Sequence, residues 1–152
     1  MRAAPPSSVL FICLGNICRS PYAEAVLRVR AAGIDVASAG FIGPGRSPPE
    51  RALDAARARG IDHASHRSRE VTADMLARAD TVFVFDRFNV ARLRALPGPA
   101  HPRVLWLGDL DPSWSGKRAV IDPWGKEPEE FERTFERIDR CLDVLVDTLA
   151  NR

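Results

Sequence analysis

The residues near the N-terminus show the pattern of a strand, a short loop and a helix, and this unit constrains the whole fold. Residues 8–12 are almost wholly apolar and rich in β-branched and aromatic side chains, which is typical of a strand buried on both faces of a parallel sheet. Pro21 suits the first turn of a helix, and apolar residues follow it at helical spacing as far as Gly33. Residues 13–20 are therefore predicted to form a strand-to-helix loop.

The rest of the chain alternates between strand and helix patterns. Further strands are predicted at residues 34–40, 81–85 and 104–107, and further helices at residues 50–59, 71–79, 87–96 and 128–149. The alternation predicts an α/β fold with a doubly wound parallel sheet and helices on both faces. We expect about four strands in the order 2-1-3-4. The length of 152 residues suits a single domain, in which residues 1–7 are a loose lead-in.

The composition excludes several classes of protein. A hydrophobic share of 45% and a charged share of 28% are ordinary for a globular domain and exclude a disordered chain. The net charge is only +2 and the basic residues form no stripe, so we expect no nucleic-acid partner. No apolar run approaches the ~20 residues that span a bilayer, and residues 1–8 lack a signal-peptide core, so we expect a cytoplasmic protein without a membrane partner. Three cysteines indicate thiol chemistry or buried thiols more than a disulfide framework.

The loop 13–20 has the composition of an anion-binding site. A loop that precedes a helix directs backbone N–H groups and the positive end of the helix dipole at an anion. It contains neither of the glycine-rich nucleotide motifs, but Cys13 opens it, Gly15 permits tight curvature and Arg19 stands near its end. A helix N-terminus favours a nucleophilic thiolate, and a planar guanidinium can bind two phosphoryl oxygens. In so arginine-rich a chain, however, a Cys and an Arg at this separation also coincide by chance.

The complete string CLGNICRSP at residues 13–21 resembles the C-x-G-N-x-C-R-S-P signature of the low-molecular-weight protein tyrosine phosphatases. Three further segments at residues 38–40, 66–69 and 86–89 look like landmarks of that family in the family's order, so the resemblance covers nearly the whole chain. It implies a phosphate-binding loop that includes Leu14, Gly15, Asn16, Ile17, Cys18 and Ser20. It also implies that Ser38 and His66 join Asn16 and Ser20 in a hydrogen-bond network that supports this loop. For His66 a structural role is also the expectation from residue type alone.

Expelling an alkoxide or phenoxide from phosphate needs a proton donor, and two Asp-Pro dipeptides compete for that role. The family's acid lies on an Asp-Pro loop that is followed by an aromatic residue just before the last helix. Asp122, followed by Pro123 and Trp124, matches that description, whereas Asp111 comes too early and is predicted to be a turn residue.

The predicted reaction has two displacements and needs neither a metal nor a cofactor. The thiolate of Cys13 attacks phosphorus while Arg19 and the loop amides hold the oxygens, and Asp122 protonates the leaving group. Asp122 then activates water, which releases phosphate from the phosphocysteine. Inorganic phosphate and similar oxyanions are expected to bind in the same loop. The sequence itself does not indicate the oligomeric state, and we expect a monomer only because small enzymes of this kind are often monomeric.

Two further cysteines have less certain assignments from the sequence. The family suggests a reversible disulfide between Cys18 and Cys13 that protects the nucleophile, and a simply packed Cys18 fits the sequence nearly as well. Cys141, on the last helix, is predicted to be a core thiol.

Substrate class is the open question at the level of sequence. A single Trp124 before Gly125, and Phe41 as the other aromatic wall of the cleft, look more like the protein arginine phosphatase branch of the family. That branch has a threonine where this chain has Ile17, and an aliphatic side chain favours a phenyl ring over a guanidinium. We therefore predict a phosphotyrosine protein substrate, with phosphoarginine as the alternative. An arsenate reductase is disfavoured because residues 82–108 contain no cysteine. A catalytically idle phosphate-binding or redox-sensing module is the alternative from another class.

Overall fold

The computed structural model describes residues 4–113 and 116–151. The strands are β1 (Ser8–Ile12), β2 (Asp35–Ala39), β3 (Thr81–Val84) and β4 (Val104–Trp106). The helices are α1 (Arg19–Arg30), α2 (Glu50–Arg57), α3 (Ala73–Arg78), α4 (Arg87–Arg94) and α5 (Pro128–Ala150), and a short 3-10 helix (Leu107–Leu110) follows β4.

The four strands form one parallel sheet in the order β2-β1-β3-β4. The predicted fold class and strand order are thereby confirmed. In the register of the sheet, Phe11 of β1 lies between Ser38 of β2 and Phe83 of β3. The strand before the loop is thus central, with a neighbour on each side.

The sheet is covered on both of its faces, as its apolar strands predict. On one face, Val9 and Phe11 belong to a core cluster with residues of α1, α2 and α5. On the other face, Leu10 and Ile12 join a smaller cluster that receives side chains from α3 and α4. The predicted apolar stripe of α5 is buried in the first cluster, and burial of each of its large side chains stabilises the fold by about 1.5–3 kcal/mol; its members are Phe131, Phe135, Ile138, Leu142 and Leu145.

Helix α1 begins two residues before the predicted start, which corrects the extent of the loop. Arg19 and Ser20 lie in the first turn of the helix, so the loop proper is 13–18. Pro21 is accommodated because the N–H groups of the first turn have no intrahelical partner to lose. This difference matters to the chemistry, since Arg19 sits on a rigid helix rather than on a loop.

The N-terminal lead-in is more firmly held than its composition predicts. Residues 1–3 lie outside the described residues. Ser7 donates hydrogen bonds to Asp80 through its backbone N–H (2.7 Å) and its hydroxyl (2.9 Å), and the carbonyl of Ala4 accepts a bond from Arg103. Residues 4–7 are therefore tied to the start of the sheet rather than loose.

The carboxyl edge of the sheet gathers the segments from which a site can be built. The loop after β1, the loop after β2 and the residues after β3 all begin at this edge, because parallel strands end on the same side. Helix α1 presents its N-terminus there. Across the described residues, no helix is long and apolar enough to cross a membrane.

Candidate active site

The loop 13–18 has a backbone conformation that two residues make possible. Asn16 has a positive φ of 55°, a left-handed conformation that asparagine tolerates better than most residues. Gly40, at the end of β2, lies so close that a Cβ there would be 2.8 Å from both the backbone N of Asn16 and the carbonyl oxygen of Leu14. A side chain at position 40 would push the loop away from the sheet, so Gly40 is required by close approach.

The Asn16 side chain is the centre of a buried hydrogen-bond network. Its amide nitrogen donates to the hydroxyls of Ser20 (2.8 Å) and Ser38 (2.9 Å), and its oxygen accepts from the backbone N–H of Arg69 (3.0 Å). All the polar atoms of this amide are thereby used, which holds the left-handed turn in place. The predicted association of Asn16, Ser20 and Ser38 is present in the structure.

Two more side chains extend this network to the periphery. The Ser38 hydroxyl donates to the carboxylate of Glu24 (2.6 Å), which is paired with Arg28 on the next turn of α1 (2.8 Å). His66 Nε2 lies 2.9 Å from the carbonyl oxygen of Asn16 and donates to it. Burial is the main cause that lowers the pKa of His66, so the ring is neutral and acts as a structural donor.

The sulfur of Cys13 lies beside a hydroxyl group that can donate a hydrogen bond to it. The Sγ atom lies 2.9 Å from the hydroxyl oxygen of Ser20. Because that hydroxyl already accepts a bond from Asn16, its own hydrogen is free to be donated to sulfur. Within the described residues, the backbone N–H groups of 14–18 donate no hydrogen bond, so these amides remain available to an anion.

Arg19 is fully buried, with only 1% of its surface exposed, and one side of its guanidinium is committed to the protein. Nη1 donates to Asp86 (2.7 Å) and to the carbonyl of Val120 (2.8 Å), and the group lies 5.4 Å from the ring centroid of Phe85. Burial opposes the charge, but Cys13, Asp122 and Asp86 raise the pKa of Arg19 above its ordinary value. The cation is therefore permanent.

The opposite edge of the Arg19 guanidinium is unoccupied. Among the described residues, buried Nε has no hydrogen-bond partner, and Nη2 lies 3.7 Å from Asp122 Oδ2 without a hydrogen bond to it. Nε and Nη2 form one edge of the planar fork, the edge that binds two oxygens of a phosphoryl group side by side. A buried guanidinium edge without hydrogen-bond partners is the strongest indication of an oxyanion site in this structure.

Asp122 lies beside that edge and is open to solvent. Its side chain is 39% exposed, and Oδ1 accepts a hydrogen bond from the backbone N–H of Trp124 (3.1 Å). The segment is attached to the sheet because Val120 N–H donates to the carbonyl of Phe85 (2.8 Å), and Thr134 of α5 bonds to the carbonyl of Ile121 (3.2 Å). A carboxyl group near the phosphoryl site, with an accessible oxygen, can transfer a proton.

Asp111 lies in a different environment from Asp122. It accepts bonds from Ser113 and from the guanidinium groups of Arg137 (3.0 Å) and Arg140 (3.2 Å). Burial opposes the effect, but the hydrogen bonds from Arg140 and Ser113 hold the pKa of Asp111 well below its usual range. The predicted turn is present, and two ion pairs that sequence reasoning missed are added to it.

A cavity of about 310 Å³ opens above the loop 13–18, and the side chain of Trp124, which is 62% exposed, lies at its mouth. The sequence predicts that Phe41 forms the second aromatic wall of the cavity, and this prediction is wrong. Phe41 packs against the smaller core cluster, and its neighbour Ile42 lines the cavity instead, because the chain bends at these two residues as it leaves the sheet. The cavity lining comprises Cys13, Leu14, Gly15, Ile17, Cys18, Ile42, Arg46, Asp122 and Trp124.

All three cysteines are free and buried. Burial, reinforced by Asp122 and Cys13, raises the pKa of Cys18 well above its ordinary value, so Cys18 is a poor nucleophile beside Cys13. Burial also raises the pKa of Cys141 to about 12, in keeping with its place in the core of α5. A disulfide between Cys18 and Cys13 under oxidation stays a prediction.

Several residues of the site have no assigned role in the sequence reasoning. Asp86 binds Arg19, but in the sequence it stands out only as part of the segment 86–89. Its position directly after a buried strand, which brings it to the carboxyl edge of the sheet, is the signal that could have indicated a role in the site. Glu24 and Arg46 had no comparable signal, since charged residues are common in this chain. Across residues 4–113 and 116–151, no group of three or more His, Cys, Asp or Glu side chains is arranged to hold a metal ion.

Comparisons with known proteins give one consistent result. The model of the family described as low molecular weight phosphotyrosine protein phosphatase matches residues 8–152. The low molecular weight protein-tyrosine-phosphatase Etp of Escherichia coli is 30% identical over 136 residues, which cover 89% of each chain.

Solved structures agree with the sequence comparison. The tyrosine phosphatase amsI of Erwinia amylovora has a TM-score of 0.86 at 26% identity, covering 97% of this chain and 95% of its own. The YwlE arginine phosphatase of Geobacillus stearothermophilus has a TM-score of 0.80 at 27% identity, covering 96% and 94%. Tyrosine and arginine phosphatases therefore both appear among the structures that this chain resembles.

Proposed function

Because this chain belongs to the low molecular weight phosphotyrosine protein phosphatase family, we propose that it hydrolyses phosphotyrosine in proteins through a phosphocysteine intermediate. The observation that carries the proposal is the unoccupied Nε and Nη2 edge of Arg19, at the N-terminus of α1 and beside the carboxyl group of Asp122. A buried, permanently charged fork whose Nε and Nη2 make no hydrogen bond to the protein can bind two oxygens of a phosphoryl group.

In the first displacement, the Cys13 thiolate attacks phosphorus. The sulfur–phosphorus bond forms as the bond from phosphorus to the phenolic oxygen breaks, and protonated Asp122 gives its proton to that oxygen. Ser20 donates a hydrogen bond to Sγ and stabilises the thiolate before attack. Arg19 and the free amides of the loop 13–18 hold the phosphoryl oxygens, on which charge is concentrated throughout.

In the second displacement, Asp122 acts as a base. It takes a proton from a water molecule, whose oxygen attacks phosphorus from the side that the phenol has left. The sulfur–phosphorus bond breaks, inorganic phosphate is released, and Cys13 returns to the thiolate form. Asp86 acts as a positioning residue, since its bond to Nη1 fixes the plane of the Arg19 guanidinium through both steps.

The cavity walls support an aromatic leaving group. Leu14, Ile17, Ile42 and Trp124 give the cavity apolar sides, and a flat ring can be buried among them. A phosphoarginine substrate is the second candidate, because the chain is also similar to the YwlE arginine phosphatase and a single aromatic residue precedes Gly125. Ile17 offers no polar atom to a guanidinium, which favours phosphotyrosine. The three free cysteines suit a reducing compartment such as the cytoplasm.

The test compares the wild-type protein with Cys13→Ser and Cys141→Ser on a phosphotyrosine peptide. Loss of turnover is expected for Cys13→Ser alone. Alkaline denaturation of the wild-type protein during turnover should leave a phosphoryl group on the proteolytic fragment that contains Cys13. Oxyanion binding without turnover by the wild type would favour the idle module instead. Competition between phosphotyrosine and phosphoarginine peptides, repeated with Ile17→Thr, decides between the two substrates.

A further inference from the structure

One cation in the cavity wall has no part in the reaction described above. Arg46 lies on the segment after β2, outside the loop 13–18, and lines the cavity together with Ile42 and Trp124. We propose that Arg46 is a specificity-determining residue, which selects phosphotyrosine segments that carry an acidic residue next to the phosphotyrosine. This inference rests on the proposed function.

The backbone of Arg46 is held firmly against another segment of the chain. Its N–H donates to the hydroxyl of Ser68 (2.9 Å), and its carbonyl accepts from the N–H of Ser68 (2.8 Å). The Ser68 hydroxyl in turn donates to the carbonyl of Gly43 (2.6 Å), and the N–H of Gly45 donates to the carbonyl of Ser68 (2.7 Å). Because this backbone is fixed, the Arg46 side chain starts from a defined position and direction. A residue that selects among substrates needs such a fixed position.

The chain also provides space for the guanidinium of Arg46. Nε donates to the carbonyl of Gly43 (2.9 Å), and Nη2 lies 3.4 Å from the carbonyl oxygens of both Gly15 and Ile42. A Cβ on Gly15 would lie 2.7 Å from Nη2, and a Cβ on Gly43 would collide with the guanidinium as well. Two glycines thus allow this cation to lie against the rim of the phosphate-binding loop.

The charge of Arg46 is not neutralised by the protein. Among the described residues, no carboxylate lies within 4.0 Å of its guanidinium, whereas Arg19 is paired with Asp86. The charge of Arg46 also opposes the rise that burial causes in the pKa of Cys18. A half-buried cation without a counter-ion attracts an anion more strongly than a solvated surface arginine does.

The anion that Arg46 attracts is distinct from the phosphoryl group. Arg19 and the loop amides already provide for phosphate, and within the described part of the chain Nη1 of Arg46 has no hydrogen-bond partner. A bound phosphotyrosine brings the neighbouring residues of its own segment to the cavity mouth, where a Glu or Asp side chain can pair with Nη1. Asp122 does not oppose this pairing in the first displacement, because it is then protonated.

The experiment measures kcat/KM for two phosphotyrosine peptides that differ only in having Glu or Gln on both sides of the phosphotyrosine. At low ionic strength, the wild type should prefer the Glu peptide by about three- to fivefold, the size expected for a partly exposed ion pair. The preference should disappear as the salt concentration approaches about 1 M, where the screening length is short. A salt-independent ratio would exclude an electrostatic origin.

Three variants test the assignment to this side chain. Arg46→Gln should reduce the preference to near unity, while Arg46→Lys should retain most of it. Arg78→Gln is the matched control, since Arg78 is an exposed arginine just before β3, at the opposite edge of the sheet, and its removal should leave the ratio unchanged. A ratio that persists in Arg46→Gln overturns the inference.

The inference and the function on which it rests fail in different ways. If the wild type hydrolyses both peptides at equal rates, the function stands and the role of Arg46 is refuted. If it hydrolyses neither peptide, the proposed function is refuted, and the specificity proposal is refuted with it.

Discussion

The dipeptide Asp-Pro occurs at residues 111–112 and again at 122–123, and the two copies have opposite environments. Asp111 has a side chain that is only 4% exposed and lies between the guanidinium groups of Arg137 and Arg140. The Asp122 side chain is 39% exposed, accepts a bond from Trp124, and borders a cavity.

The difference shows what a proton-transferring carboxyl group requires. A carboxylate paired with two arginines is stabilised as an anion and cannot be protonated near neutral pH, so Asp111 is excluded as a general acid by its partners. A carboxyl group that shuttles a proton must keep one oxygen free and lie close to the leaving group. The dipeptide itself is compatible with both roles, and its neighbours decide between them.

The largest expected effect is that of Asp122→Asn on catalysis. We expect kcat/KM for phenyl phosphate, which reports the first displacement alone, to fall by about 100- to 1,000-fold, because the phenolate must then leave without a proton. The loss should be smaller with p-nitrophenyl phosphate, whose leaving group is a much weaker base. Steady-state kinetics with both substrates measures the contrast, and an equal loss with each would argue against an acid role for Asp122.

Asp111→Asn is expected to affect stability rather than chemistry. Asparagine can still bond to Ser113, but it leaves the buried end of Arg137 without its anion, so we expect a loss of about 2–3 kcal/mol in the free energy of unfolding. Urea unfolding measures this loss. The kcat/KM of the folded fraction should stay near that of wild type, and a fall comparable to that of Asp122→Asn would leave the acid unassigned.

A second group, His63, makes the free energy of unfolding depend on pH in the mildly acidic range, and its effect must be separated from that of Asp111. Burial lowers the pKa of His63 to about 4, and neither ring nitrogen has a hydrogen-bond partner among the described residues. The unfolded chain then binds more protons between pH 4 and 6.5, so stability falls as pH is lowered through this window. Replacement of His63 by Phe should remove about 1–2 kcal/mol of the fall between pH 7 and pH 5.

The contribution of Asp111 belongs to a lower pH range. Its folded pKa is depressed, so the stability it provides is complete above the ordinary carboxyl range and is lost as pH falls below about 4. Asp111→Asn should therefore flatten the stability curve only below that point, while the His63 variant flattens it above. Unfolding curves for both variants across pH 2–7 test the separation.

The smallest expected effect is that of Arg140→Gln. The Arg140 side chain is 36% exposed, and Asp111 keeps the bonds from Arg137 and Ser113 when Arg140 is neutralised. A loss of about 0.5–1 kcal/mol in the free energy of unfolding is expected, as for other partly exposed pairs. A loss as large as that of Asp111→Asn would mean that Arg140, rather than Arg137, carries most of the interaction.

Much of the fold and part of the site could be predicted from local patterns. The strand β1, the loop after it and the start of α1 follow from about a dozen consecutive residues, and the alternation of elements predicts the parallel order of the sheet. Cys13 and Arg19 could be named because their chemistry is expressed within one short segment. In such cases local preference and tertiary environment favour the same answer.

The errors share a physical cause. Phe41 was predicted to be a cavity wall because it is aromatic, but which of two adjacent side chains faces a cavity depends on the direction in which the segment leaves the sheet. Asp86 and Glu24 lie 67 and 14 residues from their partners Arg19 and Ser38, and no spacing rule relates charges at such separations.

By itself, the sequence determined the α/β architecture and predicted a nucleophile and an anion-binding helix start, because each of these depends on residues that are neighbours along the chain. Only the tertiary structure decided which edge of Arg19 lacks hydrogen-bond partners, which Asp-Pro carboxyl group is accessible and which cation lines the cavity together with Trp124. These last properties depend on burial and on the distances between charges, which exist only when distant segments meet at the carboxyl edge of the sheet.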